Sequence, residues 1–224
     1  MWGRKFSHRV DRECSLCSLC RLAILRHVWR RVFLAIPLAA FLAVGSARAE
    51  ESYSIDQTFG SIMFSVSHLG LFSSQGQFRR FRGTLLLDAS HPEWTRISVD
   101  VESASANMSS QEETAMLQSP DFFNVQKYPD VHFESTSVEP VASNHYVVRG
   151  QIEIRGITQP LILDAKLVAR HEDPARGAEV AEFVVTGTLQ RSAFGMTADR
   201  AFISDKVAIT INARIQLSET FRAN

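Results

Sequence analysis

From Val207 to Leu217 the chain alternates without a break, with Val207, Ile209, Ile211, Ala213, Ile215 and Leu217 on one side. Ala208, Thr210, Asn212, Arg214 and Gln216 occupy the other. Successive side chains of an extended strand point to opposite faces, so a period of two predicts a strand with one buried and one wet face. The pattern recurs at Ile62, Phe64 and Val66, and at Ile97, Val99 and Val101 against Ser98, Asp100 and Glu102. It is less clean at Leu161, Leu163, Ala165 and Leu167, where Ile162 and Val168 interrupt the polar side. One-sided strands of this kind build antiparallel sheets.

About eight strands are predicted, near residues 61–68, 75–88, 95–103, 130–138, 145–154, 159–169, 179–190 and 205–217, with a short leading strand at 53–56. Turn-forming stretches separate several of them: DASHPEW from Asp88, EPVASN from Glu139, RGITQP from Arg155 and HEDPARG from His171. That many long strands point to an all-β, eight-stranded antiparallel barrel, because closure removes exposed sheet edges. "FRRF" poses a problem of phase: Phe78 and Phe81 have opposite parity, so a bulge or one outward phenylalanine is expected.

The main interruption runs from Ala104 to Pro129. Ser110-Gln111-Glu112-Glu113 fits a reciprocal capping box and predicts a short helix over Glu112–Leu117. Ser119-Pro120-Asp121 reads as a second helix start, with Ser119 as N-cap and Pro120 at the first helical position. Met116, Leu117, Phe122 and Phe123 make this insertion apolar enough to cap one end of a barrel.

The first 49 residues read differently. Arg30 and Arg31 precede an apolar run of fourteen residues, Val32 to Gly45, and Ala47 and Ala49 flank Arg48. This is the layout of a secretory signal peptide, with cleavage expected after Ala49 and residues 50–224 as the barrel. Fourteen helical residues reach roughly 21 Å, short of the roughly 30 Å hydrocarbon core, so no stable membrane span is expected after cleavage. Arg30, Arg31, Phe33 and Leu34 also match the twin-arginine export pattern. The stretch before Val28 is long for a signal's basic region, which raises a translation start near residue 28. Cys14, Cys17 and Cys20 are the chain's three cysteines and all precede the cleavage site, so the mature protein is expected to hold neither a disulfide nor a thiolate metal site.

Removing this segment changes the charge. Of 24 basic and 24 acidic residues, nine and two lie before residue 50, leaving 15 against 22 and a net charge of −7. Nucleic acid and an anionic membrane surface are disfavoured as partners.

The five histidines past residue 49 (His68, His91, His132, His145 and His171) form no H-E-x-x-H motif, and no G-x-S-x-G elbow, P-loop or G-x-G-x-x-G fingerprint is present. Neither a metal site nor a required cofactor is expected. Twelve of the 15 phenylalanines lie past residue 49. A barrel of eight strands is at the size where the interior is either packed by side chains or open for one small ligand.

In order and spacing, several segments resemble the YceI-like family of exported, lipocalin-like proteins that bind polyisoprenoid lipids. They are YSID at Tyr53, IMFSVSHLGLFSSQGQFRRFRG from Ile62, SPDFFNVQKYPDVHFEST from Ser119, IRGITQPLIL from Ile154 and RSAFGM from Arg191. The resemblance, from about Tyr53 to Leu217, implies a lipocalin-like barrel holding an isoprenoid lipid, ubiquinone-like in many cases, without covalent chemistry. His68 and Gly70 match the family's HLG segment. Gly70 is expected to permit a turn, and His68 to hydrogen-bond core polar groups or meet a ligand headgroup. Where the family often carries Arg-Asp-x-His-Leu, this chain reads ETAML, Glu113 to Leu117, which implies a greasier rim with Met116 in it. Phe59-Gly60 replaces a more usual polar pair.

Strand phase and this resemblance together nominate Phe64, Val66, His68, Phe78, Val99 and Met116 as pocket-lining residues. Phe122, Phe133, Ile152, Phe183 and Ile209 complete the set. The expected function is non-catalytic, a periplasmic carrier or reservoir of an isoprenoid lipid, with a homodimer left open. A secreted enzyme acting on such a lipid and a filled barrel serving as a stress-related interaction module are the rivals.

Overall fold

Eleven strands join edge to edge in a single antiparallel sheet, in the computed structural model that describes residues 51–88, 91–174 and 178–217. The proposed signal segment, its cysteines and its paired arginines lie outside the described residues. In chain order the strands are β1 (Glu51–Asp56), β2 (Gly60–His68), β3 (Phe72–Phe78), β4 (Phe81–Leu87), β5 (Arg96–Glu102) and β6 (Ala106–Asn107). Helix α1 (Gln111–Gln118) follows, then β7 (Asp130–Ala142), β8 (His145–Ile154), β9 (Ile157–Asp173), β10 (Ala178–Gln190) and β11 (Ile203–Leu217).

Eleven segments replace the eight predicted strands because three courses are broken by short kinks. β1 and β2 pair with β4 and β3 respectively, so residues 51–68 and 72–87 form one long bent hairpin. β5 and β6 likewise continue one another, running along β4 and then β3 across a 3-10 turn at Ser103–Ser105. Counted across the kinks there are eight courses, and β11 pairs with β2 to close the ring. Closure leaves few backbone donors and acceptors at an open edge.

The kink in FRRF resolves its parity. Arg79 N–H donates to Ser105 O (3.2 Å), and Arg80 O accepts from Glu102 N–H (3.1 Å) and from the Ser105 hydroxyl (3.2 Å). The two arginines thus form a corner, and Phe78 and Phe81 both turn inward. β9 uses a different device: its register against β10 slips by one residue at Val168, which is left exposed. Leu161, Leu163, Ala165 and Leu167 line the interior before the slip and Arg170 after it.

At the β2–β3 turn, Leu71 N–H donates to His68 O (2.9 Å), and both central residues take positive φ, +51° at Leu69 and +69° at Gly70. Gly70 does so without a Cβ penalty, as expected; Leu69 bears the strain.

Two expectations for the insertion need correction. Ser110 caps α1 by accepting from Glu113 N–H (3.1 Å), but Glu113 does not complete the box; its carboxylate turns to Ser74 instead. Ser119-Pro120-Asp121 opens no second helix. Phe123 N–H returns to Leu117 O (2.9 Å), satisfying the end of α1, and Asn124 adopts φ +50°, which reverses the chain. Beyond α1 the chain runs through a series of turns to β7. Among the described residues, no helix is long and apolar enough to cross a membrane.

Candidate functional site: an apolar lumen

With alternate residues of every course turned inward, the barrel encloses a cavity of about 460 Å³. Small-ligand sites span about 300–1,000 Å³. All eleven nominated residues are on its wall. The long hairpin contributes Phe64, Val66, His68 and Phe78; Val99 comes from β5, Met116 from α1 and Phe122 from the turns after it. Phe133, Ile152, Phe183 and Ile209 come from β7, β8, β10 and β11. Phe64, Phe122, Phe133 and Ile152 are buried, whereas Met116 sits at the rim.

An aromatic seam crosses the wall where the kinked hairpin meets the insertion. Phe64 packs on Phe78 with ring centroids 5.3 Å apart, and Phe78 meets Phe123 edge-on at 5.6 Å. Gly76 makes room for it: a Cβ there would fall 2.5 Å from the Met108 sulfur and collide with the Phe64 ring. Such tilted aromatic contacts contribute roughly 0.5–1.5 kcal/mol beyond the area they bury.

Polar groups gather at the two ends of this shaft. At the end covered by α1, the wall includes His68, Ser74 and Glu113, with the Ser74 hydroxyl 3.5 Å from the Glu113 carboxylate. His68 stacks on Phe72 with centroids 5.1 Å apart and planes 9° apart, and its Nε2 is buried without a hydrogen-bond partner among the described residues. Ser74 and Glu113 escaped the sequence reading because a polar residue on an inward phase looks like a break in the pattern. The signal available was parity, since Ser74 shares it with Gly76 and Phe78 on β3. The opposite mouth carries Asn144 and Arg170, the latter paired with Glu179 at 3.0 Å.

Arg191 is also on the wall, but its hydrogen bonds are structural. It is 3% exposed and donates to the carbonyls of Met196 (2.9 Å), Ala198 (2.7 Å), Ile203 (3.0 Å) and Ser204 (3.0 Å). Burial draws its pKa below that of free arginine, with Asp205 opposing the shift. Beside it, Asp205 accepts from the Ser192 hydroxyl (2.6 Å) and amide (2.9 Å), which hold its carboxyl below the usual range. On the outer surface, His132 Nδ1 lies 2.8 Å from Asp100, and His145 pairs with Asp164, whose pKa that hydrogen bond lowers. Among the described residues, no three side chains of His, Cys, Asp or Glu converge as metal ligands do.

Fold and cavity together define a closed antiparallel β-barrel of the lipocalin-like kind, with an apolar interior and a helical cap. The YceI-like domain model matches residues 53–215, and the chain belongs to the YceI-like family. A UPF0312 protein of Ectopseudomonas mendocina is 32% identical over 180 residues, covering 80% of this chain and 93% of that one. Its counterpart in Pseudomonas putida is 35% identical over 170 residues, covering 75% and 88%. Among solved structures, BcnA of Burkholderia cenocepacia matches with a TM-score of 0.63 at 18% identity, covering 71% of this chain and 98% of that one. A polyisoprenoid binding domain from Saccharophagus degradans matches with a TM-score of 0.53 at 13% identity, covering 74% and 98%. At these identities the two structures attest the fold.

Proposed function

We propose that the protein binds one long isoprenoid lipid, quinone-like or polyprenyl, without covalent chemistry in its lumen, and serves as a periplasmic carrier or reservoir. The observation that carries this reading is the cavity of about 460 Å³, apolar along its shaft and polar at its ends. Each buried methylene contributes about 0.8 kcal/mol, so some fifteen of them supply on the order of 12 kcal/mol. That offsets much of an association cost of about 4–15 kcal/mol. The description of the Saccharophagus degradans domain as polyisoprenoid binding supports the choice of ligand. Under this reading, His68 Nε2 donates to or accepts from the headgroup, and no cofactor is required.

Mass spectrometry of an organic extract of the protein, purified from its own cells, tests the proposal. A prenyl lipid at about one per chain is the expected result; a chain that stays empty after quinones are supplied would sink it. His68→Gln is expected to retain the tail and lose preference among headgroups. Equal binding of a matched series of quinones and polyprenols by both proteins would remove His68 from the headgroup role.

A further inference from the structure

Most large apolar side chains exposed among the described residues are spread along β2, β7, β9, α1 and the 3-10 turn at Pro92–Trp94. One place differs. The four most exposed among the described residues are Leu71 (82%), Phe72 (62%), Phe202 (62%) and Leu69 (60%), and all four sit together at the β2–β3 turn and the loop facing it. The two loops are tied by the Leu69 amide, which donates to Phe202 O (3.0 Å). Leu69, Gly70, Arg200 and Phe202 line a shared crevice between them. Phe202 is itself held by its amide to Asp199 O (2.9 Å), where Asp199 adopts φ +51°. A cluster this exposed and this well fixed marks an interaction surface.

We infer that this tip inserts into the interfacial layer of a lipid bilayer and brings the α1-covered mouth of the barrel against the membrane. Two observations choose a bilayer over a protein partner, and the charge decides which kind of bilayer. The cluster is a projecting hairpin end, a shape that enters an acyl layer. It abuts the lumen, because His68 on the cavity wall stacks directly on exposed Phe72. The charge fits insertion as well. Past residue 49 the chain has 15 basic against 22 acidic residues, so attraction to an anionic surface is weak and apolar burial must drive docking. Arg200 at the tip's flank, near Asp205 at 3.9 Å, sits at headgroup depth. The inference rests on the lipid-binding reading for what is exchanged; docking itself does not require it.

The test uses the chain as it accumulates in cells, its N-terminus fixed by intact mass, with vesicles of phosphatidylcholine. Wild type is expected to float with the vesicles. The double variant Leu71→Ser, Phe202→Ser, which leaves the His68–Phe72 stack intact, is expected to lose at least tenfold of that binding, with melting temperature and extractable lipid unchanged. Ile162→Ser, an exposed change on the outer wall, is expected to lose none. Phe72→Trp provides a second readout: its emission shifts blue on adding vesicles and is quenched by brominated lipid, against the background of the wild type's own tryptophans. Equal flotation of the double variant, or unshifted Phe72→Trp emission, overturns the proposal. So does binding that appears only with anionic lipid and vanishes in salt, or a tip that instead pairs two copies of the chain by light scattering. If the protein holds no lipid yet docks through the tip, the carrier reading fails and docking stands. If it retains lipid and floats independently of the tip, docking fails and the carrier reading stands.

Discussion

At the scale of single residues, the lumen depends on where side chains are missing as much as on where they are present. Gly76 lies under the Phe64 ring and the Met108 sulfur, both of which are ends of side chains rather than backbone. Gly76→Ala is therefore expected to cost about 1–3 kcal/mol in urea unfolding. Adding Phe64→Leu is expected to recover part of that loss by removing the ring, so the two changes are non-additive. Strict additivity would mean that the collision is relieved elsewhere. Phe64, Phe133 and the alternating aliphatics of this wall were legible in the sequence because parity assigns them, whereas His68 was drawn from the family resemblance and Phe81 needed the kink at Arg79 and Arg80 to turn inward beside Phe78. Ser74, Glu113 and Arg191 were not, since only the packed barrel shows a polar group at its mouth or an arginine spent on four carbonyls.

At the scale of elements, β11 was legible in full: Val207, Ile209, Ile211, Ala213 and Ile215 all reach the cavity wall, as their phase requires. Elements with tertiary partners at their ends were harder to read. The second helix at Ser119 failed because Phe123 is drawn back to Leu117, and the capping box lost its second half because Ser74 competes for Glu113. The slip at Val168 accounts for one of the two apolar residues that interrupt the polar side of β9; Ile162, in regular register, is simply exposed. A pH effect belongs here too. Asp205, held down chiefly by the Ser192 hydroxyl, has a folded pKa below its unfolded one. Its stabilising contribution is present above the unfolded value of about 3.9 and is lost as pH falls through the folded value. Ser192→Ala is expected to lower the melting temperature at pH 7 and to narrow its difference from wild type towards pH 3. A constant difference across that range would assign the effect to packing.

At the scale of the whole molecule, the barrel is a container, and filling it separates holding a ligand from holding a fold. Ile209 lies on the wall beside Phe64 on β2 and Gly187 on β10. Ile209→Trp is expected to reduce extractable lipid several-fold while leaving the melting temperature within a few degrees; lipid retained at wild-type level would place the ligand elsewhere. The ring closes between strands made at very different times. β11 pairs with β10 before it and with β2 about 140 positions earlier, so the seam joins one of the earliest strands synthesised to the latest described. Until β11 pairs, β2 and β10 each present an unpaired edge, and a contact of such long sequence separation forms slowly. A chain caught before that closure is an open sheet whose apolar face needs shelter from its neighbours.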